Sequence, residues 1–138
     1  MTAEIEKFTI PADKRRILED SPGANVIATL KGTDPNDDRI FIISAHMDSR
    51  NKDVMDSEGS SPGANDNGSG TAAVIELARV MASHKFSATI LFVAFTGEEQ
   101  GLKGATYLAD KATSEEWNIA AVLNNDIVGN SSSSEMLI

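Results

Sequence analysis

The sequence predicts an α/β fold in which helices cover both faces of a mixed, mainly parallel central sheet. Three apolar segments, typical of strands covered on both faces, lie at residues 39–45, 87–95 and 119–125. Two segments whose apolar residues recur at helical spacing, 69–85 and 101–112, separate these strands. Because strands and helices alternate in this part of the chain, we expect its strands to run parallel.

Two further strands precede this core. Residues 4–10, EIEKFTI, alternate between polar and apolar, as in a half-exposed edge strand. Residues 24–32, ANVIATLKG, predict a second strand, and the Pro, Asp and Asn residues of 33–38 predict a turn. The predicted order is therefore β-β-β-α-β-α-β.

Residues 47–67 are rich in Ser, Asp, Asn and Gly and predict a loop. Its length is unusual for a connection within a compact domain, which favours a functional loop. The helix that follows is expected to begin near Ser69 or Thr71, since either hydroxyl can cap a helix N-terminus.

Composition limits the classes of function. The chain has 138 residues, of which 41% are hydrophobic and 24% charged, as in one globular domain with a modest core. A net charge of -9 argues against nucleic-acid partners and against a polybasic membrane contact. No apolar run approaches the ~20 residues of a membrane helix. The first ten residues show neither the basic start nor the apolar run of a signal peptide, and the compartment is not predicted.

Polar side chains follow each of the three apolar strands, and another precedes the first helix. In open α/β sheets the carboxyl ends of parallel strands lie along one edge, where ligands bind. One imidazole and five carboxylates are therefore expected to converge there: His46, Asp48, Asp66, Glu98, Glu99 and Asp126.

Such a cluster predicts a metal site. Carboxylates packed together repel unless cations lie among them. The chain contains no cysteine, so imidazole and carboxylate are its available charged ligands, a set that suits zinc better than calcium. The number of carboxylates exceeds what one tetrahedral ion uses, which fits a site with two metal ions.

Each residue also has a simpler structural interpretation. Asp48 is either a turn residue or the hydrogen-bond partner of the second ring nitrogen of His46. Asp66 could only cap the following helix. Glu98 and Glu99 project differently, so one could bind metal while the other acts as a base. His84, late in a helix, is assigned no role.

Four motifs carry a family resemblance. SAHMDS, PGANDNGSGTAAVIELAR, FVAFTGEEQGLKGA and LNNDIVG occur in the order and at spacings similar to those of the zinc-dependent aminopeptidase family with two co-catalytic metals. That family includes bacterial leucyl aminopeptidases, yeast-type vacuolar aminopeptidase and glutamate carboxypeptidase relatives. The resemblance runs from about residue 25 to residue 129, and it implies a phosphorylase-like zinc-exopeptidase fold and a peptide substrate.

The resemblance also implies a ligand set. His46 and Asp126 would bind one zinc ion, Glu99 would bind a second, and Asp66 would bridge both. Members of this family are often secreted or periplasmic, and neither oligomeric state nor side-chain specificity is predicted here.

Catalytic roles follow from the same resemblance. Glu98 would be the general base that takes a proton from the attacking water and passes it to the leaving amine. Asp48 would hold His46 in place. The implied reaction is hydrolysis of peptide bonds by an exopeptidase, with the choice between amino- and carboxypeptidase left open.

The chain departs from the family pattern in one respect. The pattern has a fifth ligand, a histidine well downstream of Asp126, and this chain has no histidine after His84. We therefore expect residues 1–138 to be a single, partial catalytic domain, incomplete at its C-terminus, that binds about one zinc ion tightly and has little or no activity. A glutaminyl cyclase of related fold with one zinc, or a non-catalytic binding domain, remain the alternatives.

Overall fold

The computed structural model describes residues 1–53, 55–56 and 58–129. Two positions of the predicted loop 47–67 lie outside the described residues. So does the part of the predicted domain 1–138 that follows residue 129. The elements, in chain order, are β1 (Thr2–Ile10), β2 (Ser21–Leu30), β3 (Arg39–His46), α1 (Gly70–Met81), β4 (Thr89–Phe95), α2 (Lys103–Ser114) and β5 (Asn118–Asn124). A short kinked turn, Ala64–Ser69, precedes α1. The predicted order of strands and helices is confirmed.

The five strands form one mixed sheet in the order β1-β2-β4-β3-β5. β4, β3 and β5 are parallel, while β2 pairs antiparallel with both β1 and β4. The parallel strands are joined by crossovers that contain a helix, as parallel pairing requires. The prediction of a mixed sheet with a parallel centre is confirmed, and β1 is the edge strand that its alternating pattern predicts.

The two helices lie on opposite faces of the sheet. On one face Val74 of α1 packs with Ile43 and Phe92. On the other face Leu108 of α2 packs with Ile42 and Leu91. Successive strand residues point to opposite faces, so β3 and β4 need apolar side chains at nearly every position. Burying each of these side chains contributes roughly 1.5–3 kcal/mol. No helix in the described part of the chain is long and apolar enough to cross a membrane.

β5 differs from its prediction. The apolar run 119–125 predicts a buried strand, yet Val122 is 56% exposed and Leu123 is 54% exposed. The physical reason is position in the sheet, because β5 is an edge strand and pairs only with β3 among the described residues. Apolar composition therefore identified the strand but not its burial.

Candidate metal centre

β3 delivers a histidine to one edge of the sheet. His46 is the last residue of β3 and is only 3% exposed. It lies in register with Phe95 at the end of β4, and Ser44 lies in register with Asn124 at the end of β5. The carboxyl ends of three parallel strands therefore meet at one edge, where the polar residues of the following loops begin.

Two carboxylates from distant segments meet the imidazole of His46. Its Nε2 lies 3.1 Å from Oδ1 of Asp66 and 3.5 Å from Oδ1 of Asp126. One ligand atom from each of the three residues lies within 4.8 Å of the other two. The histidine is buried whereas both aspartates are exposed, so the group is anchored from inside and opens to solvent.

Asp66 is presented by the kinked turn. The backbone angles of Asp66 and Asn67 are not helical, and the peptide bond between them is cis. Gly63 begins the turn with a φ of +50°, a conformation that favours glycine. A side chain at this position would also collide with Ser49. The turn therefore requires a glycine at its start.

Asn67 ties the segment that carries Asp66 to the segment that carries Asp126. Its side chain is 1% exposed. Nδ2 donates to the carbonyl of Asn125 at 2.9 Å, and Oδ1 accepts from the backbone N–H groups of Gly70 and Ile127. Sequence reasoning missed this residue. The available signal was an amide side chain directly after a candidate ligand, in a loop that must satisfy its own backbone.

The expected helix caps are replaced by other contacts. Neither Ser69 nor Thr71 caps α1; Oδ1 of Asn67 accepts from the N–H of Gly70 instead. Thr71 Oγ1 donates to the carbonyl of His46 at 2.8 Å. The capping prediction was wrong because Ser69 Oγ donates to the carbonyl of Asn65 in the kinked turn, and Thr71 Oγ1 donates to the carbonyl of His46.

Asp48 contacts His46 through its backbone. Nδ1 of His46 lies 3.0 Å from the carbonyl oxygen of Asp48, while the nearer carboxylate oxygen is 3.6 Å away. A carbonyl can only accept, so Nδ1 of His46 donates in this contact, and Nε2 is the nitrogen that faces the aspartates. The carboxylate of Asp48 instead accepts from the N–H groups of Glu98 and Glu99, both at 3.1 Å. The expected side-chain contact to His46 is thus a backbone contact.

Glu98 lies at the margin of the group. Its Oε2 is 4.0 Å from Nε2 of His46. Burial raises the pKa of Glu98; the nearby imidazole of His46 opposes this, and the carboxylates of Glu99, Asp48 and Asp126 add to it. A carboxylate whose pKa is raised toward neutrality is better suited to general base work than one in free solution.

Glu99 is not among the three residues that converge. Its Oε2 accepts from Nε of Arg50 at 2.6 Å, and its side chain is only 11% exposed. Glu99, Arg50 and Asp66 line the same open cavity of about 770 Å³. The structure therefore brings Glu99 to the crevice and pairs it with an arginine.

The group fits a divalent metal on chemical grounds. Burial lowers the pKa of His46, but the charges of Asp48, Glu98 and Asp126 outweigh it and raise that pKa overall. The negative charges of the carboxylates thus favour a positive charge at the imidazole or beside it. One imidazole and two carboxylates are a three-residue set that zinc accepts, with a position left for water or substrate.

Comparison with known proteins identifies the family. Residues 25–138 match peptidase family M28. The chain belongs to this family. A probable zinc metalloprotease of Pyricularia oryzae is 50% identical over 111 residues, which cover 80% of this chain and 22% of that protein. The chain thus spans less than a quarter of the length of this relative.

Solved structures with the same fold include an aminopeptidase and a glutaminyl cyclase. A zinc aminopeptidase from Bacillus subtilis shares 35% identity with a TM-score of 0.65, covering 78% of this chain and 25% of that one. A glutaminyl cyclase from an Acidobacteriales bacterium shares 25% identity with a TM-score of 0.76, covering 94% of this chain and 44% of that one. The predicted family and fold class are confirmed.

Proposed function

We propose that residues 1–138 are the N-terminal part of the catalytic domain of a zinc-dependent exopeptidase of the aminopeptidase type. The observation that carries this proposal is the convergence of His46, Asp66 and Asp126 at the carboxyl edge of the sheet. Membership of family M28 and likeness to a zinc aminopeptidase support it. The substrate would be a peptide.

His46, Asp66 and Asp126 would hold one zinc ion. A zinc ion held there supplies Lewis acidity, which makes water a better nucleophile near neutral pH and polarises a peptide carbonyl. The backbone carbonyl of Asp48 keeps the proton of His46 on Nδ1, so Nε2 stays free to bind metal. We expect about one tightly bound ion in this chain, since Glu99 has no histidine partner for a second.

Glu98 would act as the general base. Its carboxylate lies beside His46 and its raised pKa suits acceptance of a proton from the attacking water. It would then pass that proton to the leaving amine. Asp48 would position Glu98. The carboxylate of Asp48 accepts hydrogen bonds from the N–H groups of Glu98 and Glu99 and so fixes the turn that carries them.

A glutaminyl cyclase is the second candidate. The favouring observation is the TM-score of 0.76 with the Acidobacteriales enzyme, higher than the 0.65 with the Bacillus aminopeptidase. Sequence identity points the other way, at 25% against 35%. Cyclisation of an N-terminal glutaminyl peptide without release of an amino acid would support the cyclase over the peptidase.

Calorimetric titration of the 138-residue chain with zinc tests the proposal. We expect one ion to bind tightly and a second to bind poorly. A chain carrying the full catalytic domain should also release the terminal residue of an aminoacyl nitroanilide. Absence of any zinc binding by the folded chain would refute the metal site and leave the non-catalytic alternative.

A further inference from the structure

Glu99 is neutralised by a residue that is not part of the proposed metal group. The Nε of Arg50 donates to Glu99 Oε2 at 2.6 Å, and the Nη1 of Arg16 donates to the backbone carbonyl of Glu99 at 2.7 Å. The carboxylate itself is contacted only by Arg50 among these two arginines. Glu99 is 11% exposed and Arg50 is 43% exposed, so the carboxylate is largely buried while the guanidinium can leave it for water.

Arg50 contacts the carboxylate of Glu99 that a second cation would need as a ligand. Arg50, Glu99 and Asp66 line one cavity, and Asp66 already belongs to the group with His46. The other described contact of Arg50 is a hydrogen bond from Nη1 to the carbonyl of Asn51 at 3.2 Å. Its position thus depends on one carboxylate and one exposed backbone carbonyl.

A guanidinium blocks a metal site differently from an imidazole. His46 can release its proton and become a ligand, whereas arginine stays charged at any accessible pH and has no lone pair to offer. While Arg50 is paired with Glu99, it occupies one carboxylate oxygen and places a positive charge beside any incoming ion.

We propose that Arg50 is a built-in competitor for Glu99, so that a second divalent cation binding through Asp66 and Glu99 must first displace its guanidinium. This inference rests on the proposed function, because it assumes that a first ion binds His46, Asp66 and Asp126. It adds a residue outside the ligand set that tunes how many ions the site retains.

The test compares metal binding by the chain and its Arg50→Gln variant, using zinc alone in calorimetry and cobalt alone followed by visible absorption. We expect the first ion to bind the variant within about threefold of the unmodified chain. The second ion should bind the variant at least about tenfold more tightly than it binds the unmodified chain, because removal of a partly solvated positive charge has an effect of this order. Arg16→Gln is the matched control, because Arg16 contacts only the backbone of Glu99, and it should leave the second affinity unchanged.

Arg50→Lys separates charge from shape. The lysine keeps the positive charge, so we expect the second ion to bind as weakly as in the unmodified chain. A second affinity that is unchanged or lower in Arg50→Gln would overturn the proposal and make Arg50 a residue that positions Glu99. Equal gains in Arg50→Lys and Arg50→Gln would also overturn it. If the unmodified chain and every variant fold but bind no ion, the proposed function itself fails, and this inference with it.

Discussion

The crevice at the carboxyl edge of the sheet has two ends that balance their acidic charge with different cations. At one end the imidazole of His46 faces Asp66 and Asp126 at 3.1 and 3.5 Å. At the other end the guanidinium of Arg50 faces Glu99 at 2.6 Å. Only the imidazole can exchange its proton for a metal ion. The difference shows that carboxylates lying close together do not by themselves make a metal site. The group that balances their charge must also be able to give way to a metal ion, as imidazole can and guanidinium cannot.

Removal of His46 should have the largest effect on this comparison. His46→Ala is expected to lower zinc affinity more than about 100-fold, because losing even a residue that supports a ligand costs about 10–100-fold. Zinc calorimetry measures this directly. His84→Ala, which changes the only other histidine of the chain, is the control and should bind zinc normally. Equal zinc binding by both variants would remove His46 from the site.

Glu98 should matter for turnover and not for metal content. In a chain carrying the full catalytic domain, Glu98→Gln is expected to lower kcat about 10²–10⁴-fold with zinc still bound, as loss of a general base does. Peptidase assays beside metal analysis measure both. Glu76→Gln, on the exposed side of α1, is the control. Full activity in Glu98→Gln would assign the base elsewhere.

Asn67 should matter for how well the metal-binding end is assembled. Asn67→Ala removes three hydrogen bonds, of which the one from the N–H of Gly70 is buried and the other two are partly buried. Leaving the buried N–H of Gly70 unpaired costs roughly 1–3 kcal/mol. We expect a lower melting temperature and zinc affinity reduced about 10–100-fold. Asn118→Ala, at the opposite end of β5, is the control. Normal zinc affinity in Asn67→Ala would show that Asp66 and Asp126 do not need this contact.

The smallest effect should come from the loop of Arg16, which contacts the backbone of Glu99 at the arginine end. The expected effect is a dependence of the stability of the fold on pH. Asp13 accepts backbone N–H groups from Arg16, Arg15 and Ile17, and these bonds hold the pKa of its carboxyl well below the usual range. A lowered pKa in the folded state stabilises the fold above the unfolded value of ~3.9, and this contribution declines as pH falls below it.

Melting temperatures of the chain and of Asp13→Ala should therefore differ at pH 7 and converge as pH falls below about 4. The same loop carries Arg16, so the variant should also loosen the contact to the backbone of Glu99. A difference in melting temperature that stays constant across this range would show that the charge of Asp13 is not the cause.

The sequence predicts the fold and the three converging residues for a simple reason. Apolar runs and helical spacing report burial within one element, and parallel strands end at a common edge, so six polar residues could be predicted to lie there. The structure brings His46, Asp66 and Asp126 of these six together. β5 was misjudged because its burial depends on which strand lies beside it, and that is not a property of its own residues.

The side-chain partners could not be predicted in the same way. Asp48 contacts His46 through a carbonyl, and Arg50 contacts Glu99 across 49 positions of sequence. Such contacts depend on loop geometry, which residue type and spacing do not determine. The role of the Asn67 amide could not be predicted, because it joins two loops and neither loop shows that role alone.

The contact between Asn67 and Asn125 has a consequence for the order of events in folding. It joins residues 58 positions apart, and Asn125 follows β5, the last of the five strands in chain order. Contacts this distant in sequence form only after the intervening chain has closed into a loop, which costs conformational entropy. The three-residue group is therefore complete only when β5 has docked on β3. An ion that recognises the finished group cannot guide the chain toward it. Zinc should therefore act on the lifetime of the native state, by slowing unfolding, and leave the folding rate nearly unchanged.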